Sequence, residues 1–275
     1  MFDSATSSAP SKAWRPAPVL SASIALHLAA VAATVARPQV WPWALGAVLA
    51  DHLVLAGIGL WPRSKLLGPN WTRLPSGVAD RGAVAITIDD GPDPDITPRV
   101  LALLDEHDVK ATFFCIGERV LRHPELARDM VRRGHTIENH SQRHLHHFSL
   151  LGPRGLAREI GRAQDSIAAV TGVAPRFFRA PAGLRNPLLE PVLARFGLQL
   201  ASWTRRGFDT VNHDADVVLG KLTRHLGAGD ILLLHDGHAG RTRAGEPVVF
   251  EVLPRLLAAV AAAKLRPITL REGLA

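Results

Sequence analysis

From Gly82 onward, short β-type runs alternate with amphipathic helical stretches, and no other feature narrows the possible folds as much. Ala83–Ile88 is strand-like, and Thr97–His107 sets Val100, Leu101, Leu103 and Leu104 on one helical face. Then follow Ala111–Ile116 (strand), Glu118–Arg133 (helix, despite Pro124), Thr136–Glu138 (strand), Arg154–Val170 (helix) and Phe177–Arg179 (strand). Pro187–Phe196 reads as helix, Leu198–Trp203 as strand, Ala215–Leu226 as helix, Ile231–Leu234 as strand, Val248–Lys264 as helix and Pro267–Leu270 as strand. Strand-then-helix units repeated in this way imply a parallel sheet with helices outside. About seven units suit a small, distorted or incomplete β/α barrel as well as an open sheet. The expected class is therefore α/β.

The front of the chain is different. Residues 1–18 are rich in Ser, Ala and Pro and read as a disordered lead. Val19–Ala36 carries no formal charge and is just long enough to span a bilayer as a helix. Arg37-Pro38 interrupts it, and a second apolar stretch runs from Val40 to Trp61, with Trp41 and Trp43 at one end and Trp61 at the other, as in interfacial belts. Residues 19–61 are therefore expected to form a transmembrane helical hairpin. A cleaved secretory signal followed by one anchor, and a buried hairpin of a soluble protein, are the other readings. His27 falls near the middle of the first stretch and Asp51-His52 near the middle of the second. Ionisable groups at bilayer depth normally face a partner, so His27 is expected to meet Asp51 or His52. Residues 62–80, with Pro62, Pro69, Pro75 and Gly77, read as a linker.

Charge narrows the partners. The formal net charge is +7, but residues 1–75 hold six basic and two acidic residues, so the remaining 200 carry only +3. That is a mixed surface and not the basic stripe of a nucleic-acid binder. Lys12, Arg15, Arg63 and Lys65 flank the hairpin on its outer ends, while the turn has only Arg37. The positive-inside bias leans the main domain toward the cytoplasmic side of the inner membrane, a periplasmic or extracellular placement being the alternative. A single cysteine, Cys115, excludes an internal disulfide and an all-cysteine metal site, and the absence of tyrosine excludes any mechanism resting on a phenol.

Polar clusters fall where strands end, the place where parallel α/β folds gather their active groups. Asp89-Asp90-Gly91-Pro92 follows the first strand; two adjacent carboxylates share a site only where the chain leaves the strand, and they repel unless a cation or a proton lies between them. His140-Ser141-Gln142-Arg143-His144 follows the strand Thr136–Glu138, and its histidine spacing suits two ligands of one ion on a helical turn. His146 and His147 leave the second ligand open on spacing alone. Arg179-Ala180-Pro181-Ala182-Gly183 puts an arginine where it could grip a carboxylate with both ends of its fork. His235-Asp236 leaves the apolar run Ile231–Leu234 and is placed to titrate near neutral pH.

In their order, D-D-G-P, H-S-x-x-H, R-x-P-x-G, a W/D segment at Trp203–Asp209 and L-x-H at Leu233–His235, these motifs resemble the NodB-homology polysaccharide deacetylases, carbohydrate esterase family 4. The likeness runs from about Gly82 to Leu270, within an expected domain at 81–275, and leaves residues 1–75 aside. It implies metal-dependent hydrolysis of an N-acetyl group on an amino-sugar glycan. Asp89 would be the general base, Asp90, His140 and His144 the ligands of a divalent ion, zinc being expected, and Arg179 the residue that orients Asp89. His235 would protonate the leaving amine with Asp209 as its partner, and the Ala182 N–H would help hold the oxyanion.

Three positions depart from the family pattern. Ile88 stands where Phe is frequent, Ala182 replaces an aromatic wall of the sugar site, and Thr210 stands where Trp is common. The cleft is thus expected to be wider than in relatives that act on free chito-oligomers. A membrane hairpin adds a lipid-linked amino sugar, deacetylated or deformylated, as an alternative substrate. A non-catalytic glycan-binding protein on the same fold is the alternative of another class, and the residues are silent on oligomeric state.

Overall fold

The computed structural model describes residues 14–274; residues 1–13 of the expected lead, including Lys12, lie outside the described residues, as does Ala275. Helix α1 (Pro18–Ala36) opens with proline at its first position, where a missing N–H costs nothing. A single 3-10 turn, Pro38–Val40, reverses the chain into α2 (Trp41–Gly59), which packs back along α1. Both helices are long and apolar enough to cross a membrane. Leu28, Val31 and Val35 on α1, and Trp41, Trp43, Leu49 and Leu53 on α2, are exposed. Of the two helices, only Leu20, Ser23 and Gly59 are buried, so the hairpin is not a core element of the barrel. Between the helices the Ser23 hydroxyl donates to Asp51 at 2.6 Å, and His27 Nε2 lies 3.2 Å from His52 Nε2. The expected meeting of His27 with the second stretch therefore involves both Asp51 and His52.

Residues 62–80 are not a free linker. Leu67, Leu74 and Val78 are buried, Trp71 bridges to Ala201, and α3 (Ser76–Ala79) leads straight into the sheet. Such burial depends on where the barrel edge lies, which prolines and glycines along the chain do not reveal.

The remaining elements alternate as expected: β1 (Ala83–Asp89), α4 (Thr97–Glu106), β2 (Thr112–Cys115), α5 (Gly117–Arg122), α6 (Pro124–Arg132), β3 (Thr136–Asn139) and α7 (Pro153–Thr171). They continue with β4 (Phe177–Phe178), α8 (Leu189–Arg195), β5 (Gln199–Leu200), β6 (Arg205–Arg206), α9 (Ala215–Thr223), β7 (Ile231–His235), α10 (Val249–Ala262) and β8 (Arg266–Ile268). The single helix expected over 118–133 is two. His123 takes φ −127° and ψ 59°, and Pro124 starts α6, because the residue before a proline avoids the helical region. The strand expected over 198–203 is only β5, and β6 was not foreseen.

All pairings between these strands are parallel, in the order β5-β4-β3-β2-β1-β7-β6, with β8 filling the lower half of β1 beside β2. The two edge strands, β5 and β6, are separated by residues 201–204 alone, so the sheet must curl until its edges nearly meet. The result is a curled, incomplete parallel barrel. Side chains alternate across it. Ile86, Ile88, Phe113, Leu232 and Leu234 face α4, α9 and α10 in the outer core. Ala83, Ala85, Phe114, Phe177 and Leu233 face inward. Thr87 and Asp89 share that inward face, which is how a carboxylate reaches the barrel mouth.

Candidate active site

A cavity of about 410 Å³ opens at the carboxyl ends of the strands, lined by Asp89, Asp90, His140, His144, Ala182, Trp203, Arg206 and His235 among others. The segments that follow β1 through β7 all contribute to it. Register explains part of this: Asp89 and His235 are paired neighbours at the ends of β1 and β7. Asp90 leaves the strand at φ 78°, so its side chain turns toward the same mouth as Asp89. Gly91 permits the close approach of Asp236, whose carboxylate oxygens would lie 2.6 Å from any β-carbon there.

Asp90 is the centre of the arrangement. Its Oδ1 is buried, has no hydrogen bond of normal geometry, and lies 3.3 Å from both His140 Nε2 and His144 Nε2. Its Oδ2 accepts from His238 Nδ1 at 2.9 Å. Burial opposes the charge on Asp90, but the His140 and His238 imidazoles outweigh it and hold the carboxyl well below its usual range. His140 Nδ1 donates to the Arg179 carbonyl at 2.8 Å, which orients the ring with Nε2 toward Asp90. Burial, then the neighbouring His140, pushes His144 down to about 4, so it is neutral at physiological pH. An unshared buried carboxylate oxygen facing two imidazole nitrogens is a donor set that fits a divalent ion, with open positions for water and substrate.

The histidine spacing achieves this without the helical turn the sequence implied. Ser141 and His144 are left-handed, with φ 65° and 52°. The loop is fixed by Asn139 Oδ1 accepting from the Ser141 N–H at 2.9 Å and by Ser141 Oγ accepting from the His144 N–H at 3.0 Å. His146 lines the cavity and His147 is exposed, whereas His144 is the one that comes together with Asp90 and His140.

Arg179 is fully buried, with its guanidinium 4.0 Å from the Phe114 ring centre. It does not grip Asp89 with both ends of its fork. Nη1 donates to Asp89 Oδ1 at 2.6 Å and to Thr87 Oγ1 at 2.9 Å, while Nε and Nη2 go to the carbonyls of Ala201 and Ser202. The fork is spent on stitching β1 to the chain after β5, and one arm orients the carboxylate. On the other wall, Asp209 accepts from His235 twice, at Oδ1 from ring Nδ1 (2.8 Å) and at Oδ2 from the backbone N–H (2.7 Å). Burial disfavours the imidazolium, yet Asp209, with Asp89 and Asp90 behind it, lifts His235 to about 9. Ala182 sits on the rim at φ 55°, a left-handed turn beside Gly183, where a β-carbon would come within 2.5 Å of Trp203 and 2.7 Å of Pro62.

All eight expected site residues thus converge: six line the cavity, and Arg179 and Asp209 stand behind Asp89 and His235. Sequence reading missed His238, which holds the second oxygen of Asp90, and Arg206. The H-x-x-H spacing of His235 and His238 was the available signal for the first. Phe208, within the W/D segment, is exposed.

Residues 76–201 match the family model described as polysaccharide deacetylase. The chain is 35% identical over 175 residues to a peptidoglycan-N-acetylglucosamine deacetylase of Bacillus cereus, an alignment covering 63% of this chain and 81% of that protein. It is 36% identical over 162 residues to a chitooligosaccharide deacetylase of a Bradyrhizobium species, covering 58% and 74% respectively. Among solved structures, a mutant of a carbohydrate esterase family 4 pseudoenzyme with restored activity superposes with a TM-score of 0.63 at 26% identity, over 70% of this chain and 68% of that one.

Proposed function

Because the chain belongs to the polysaccharide deacetylase family, we propose that it is a membrane-anchored, metal-dependent hydrolase that removes N-acetyl groups from an amino-sugar glycan. The observation that carries this reading is the unshared Asp90 oxygen facing His140 and His144, with Asp89 and His235 on the walls of the same cavity. Asp90, His140 and His144 would hold the ion, zinc being expected. When bound, the ion polarises the acetyl carbonyl and lowers the pKa of water.

The other steps belong to the protein. Asp89 takes a proton from the attacking water while Arg179 keeps its carboxylate aimed at the cavity. The Ala182 N–H donates to the developing oxyanion. His235, held protonated by Asp209, gives its proton to the departing amine.

The hairpin supports the anchor. Apolar side chains are exposed along both helices, and burying them in hydrocarbon removes that surface from water. A lipid-linked amino sugar is the second reading of the substrate, because the end of α2 abuts the cavity rim: Arg185 N–H donates to the Gly59 carbonyl at 3.2 Å, and Pro62 packs on Gly183. Turnover tests the whole proposal. Full-length protein in membranes should release free amine from acetylated glucosamine oligomers or peptidoglycan, and a chelator should stop it. Asp89→Asn should lose turnover and keep metal, whereas His140→Ala should lose both. A protein that binds metal and glycan but releases no amine would be the non-catalytic binder, and retained activity in either variant contradicts the assigned roles.

A further inference from the structure

Four arginines reach the cavity: Arg119, Arg122, Arg143 and Arg206. Protein groups already answer three of them. Arg143 pairs with Glu159 at 2.7 Å, Arg119 lies 3.7 Å from Asp93 and donates to the Gly237 carbonyl, and Arg122 turns back onto the Glu118 carbonyl.

Arg206 differs. Neighbouring residues of a strand point to opposite faces, and β6 is two arginines long. Arg205 points away to Asp230 at 2.6 Å, and Arg206 points into the cavity beside Trp203, Thr210 and His235. Among the described residues, the Arg206 side chain has neither a carboxylate within ion-pair distance nor a hydrogen-bond partner, and its Nε is buried without one. Two aromatic faces hold it: the guanidinium carbon is 5.4 Å from the Trp203 ring centre and 4.9 Å from that of Phe208. Stacking fixes the plane of the fork and leaves its N–H donors unspent.

A fixed, partly desolvated cation without a counter-charge is a binding group awaiting an anion. We propose that Arg206 forms an oxyanion subsite, so that the preferred substrate sugar carries a phosphate or carboxylate close to its acetamido group. This deepens the deacetylase reading and rests on it. Neutral chito-oligomers would fill the catalytic subsite and leave Arg206 unused.

Equilibrium binding separates this from the catalytic claim. Full-length, zinc-loaded protein in detergent is titrated with N-acetylglucosamine, N-acetylglucosamine 1-phosphate and N-acetylmuramic acid, the last two presenting the phosphate and the carboxylate. At least one charged sugar is expected to bind about ten- to a hundredfold more tightly than the neutral one, the range of a charged hydrogen bond. The tighter of the two identifies the anion. In Arg206→Gln that ratio should fall to about one. Because the ratio is taken within each protein, a partial loss of fold cancels. If the glutamine variant does not fold, Arg206→Lys, which keeps the charge and loses the fork, should lower the ratio at least threefold. No preference in the wild type overturns the proposal, as does a preference that survives in the variant. Free-amine release from neutral oligomers, measured alongside, reports on the deacetylase reading alone.

Discussion

Asp209 holds His235 at two points, accepting from its ring at 2.8 Å and from its backbone N–H at 2.7 Å, so the imidazole can neither turn nor easily lose its proton. With the pKa raised from 6.5 to about 9, the stabilisation from this pair is fully present below about 6.5 and is lost as pH rises through about 9. The activity expected of a proton donor follows the same limb. Asp209→Asn should move the alkaline limb of the pH–rate profile down toward 6.5 and lower kcat by about 10²–10⁴-fold. An unmoved limb would remove His235 from the role of acid.

Of the two Asp90 oxygens His238 touches only Oδ2, yet it fixes the carboxylate that His140 and His144 face. His238→Ala should weaken zinc binding by about 10–100-fold without abolishing it, while His144→Ala should leave no tight site. Competition with a chromophoric chelator reads both.

Asp236 is fully buried beneath the site. Burial, and then the charges of Asp90 and Asp93, raise it to about 7, against the Thr97 hydroxyl that donates to it at 2.5 Å. A raised carboxyl pKa penalises the folded state increasingly as pH climbs from 3.8 to about 7, and fully above that. In the metal-free protein, Asp236→Asn should therefore raise Tm by a few degrees at pH 8 relative to wild type, and by less at pH 5. Equal shifts at both values would show that its ionisation does not limit stability.

Gly183 has φ 75° and no room for a β-carbon between Trp203 and Pro62. Gly183→Ala should cost about 1–3 kcal/mol by urea unfolding and displace the rim that carries Ala182, lowering kcat/KM at least tenfold. A variant as stable and active as wild type would show that this rim yields freely.

What could be read from the residues was whatever is local. Asp89-Asp90-Gly91-Pro92 states its own turn, and the apolar run before His235 states its strand, so the carboxylates and the imidazole were placed at strand ends without coordinates. Contacts created by closure of the barrel were not legible. The Arg179 fork divides between Asp89 and three other acceptors because β1 and the chain after β5 meet inside the barrel. Arg206 was missed because a two-residue strand leaves no periodicity to detect. Residues 62–80 looked like a tether because their turn formers are visible, whereas the barrel edge that buries Leu67, Leu74 and Val78 is made by distant segments. His140 and His144 meet at Asp90 by a different route from the one their spacing implied, since a loop with two left-handed residues brings the rings together where a helical turn was expected to.

Pro62 follows α2 by only three residues and already packs against Gly183 at the mouth of the cavity. Were the hairpin seated in a bilayer, as proposed, such a joint would have no slack, and the cavity mouth would stay at one fixed height above the lipid. Glycan strands farther out would pass beyond its reach, so processing would be confined to sugars newly delivered at, or still tethered to, the membrane plane.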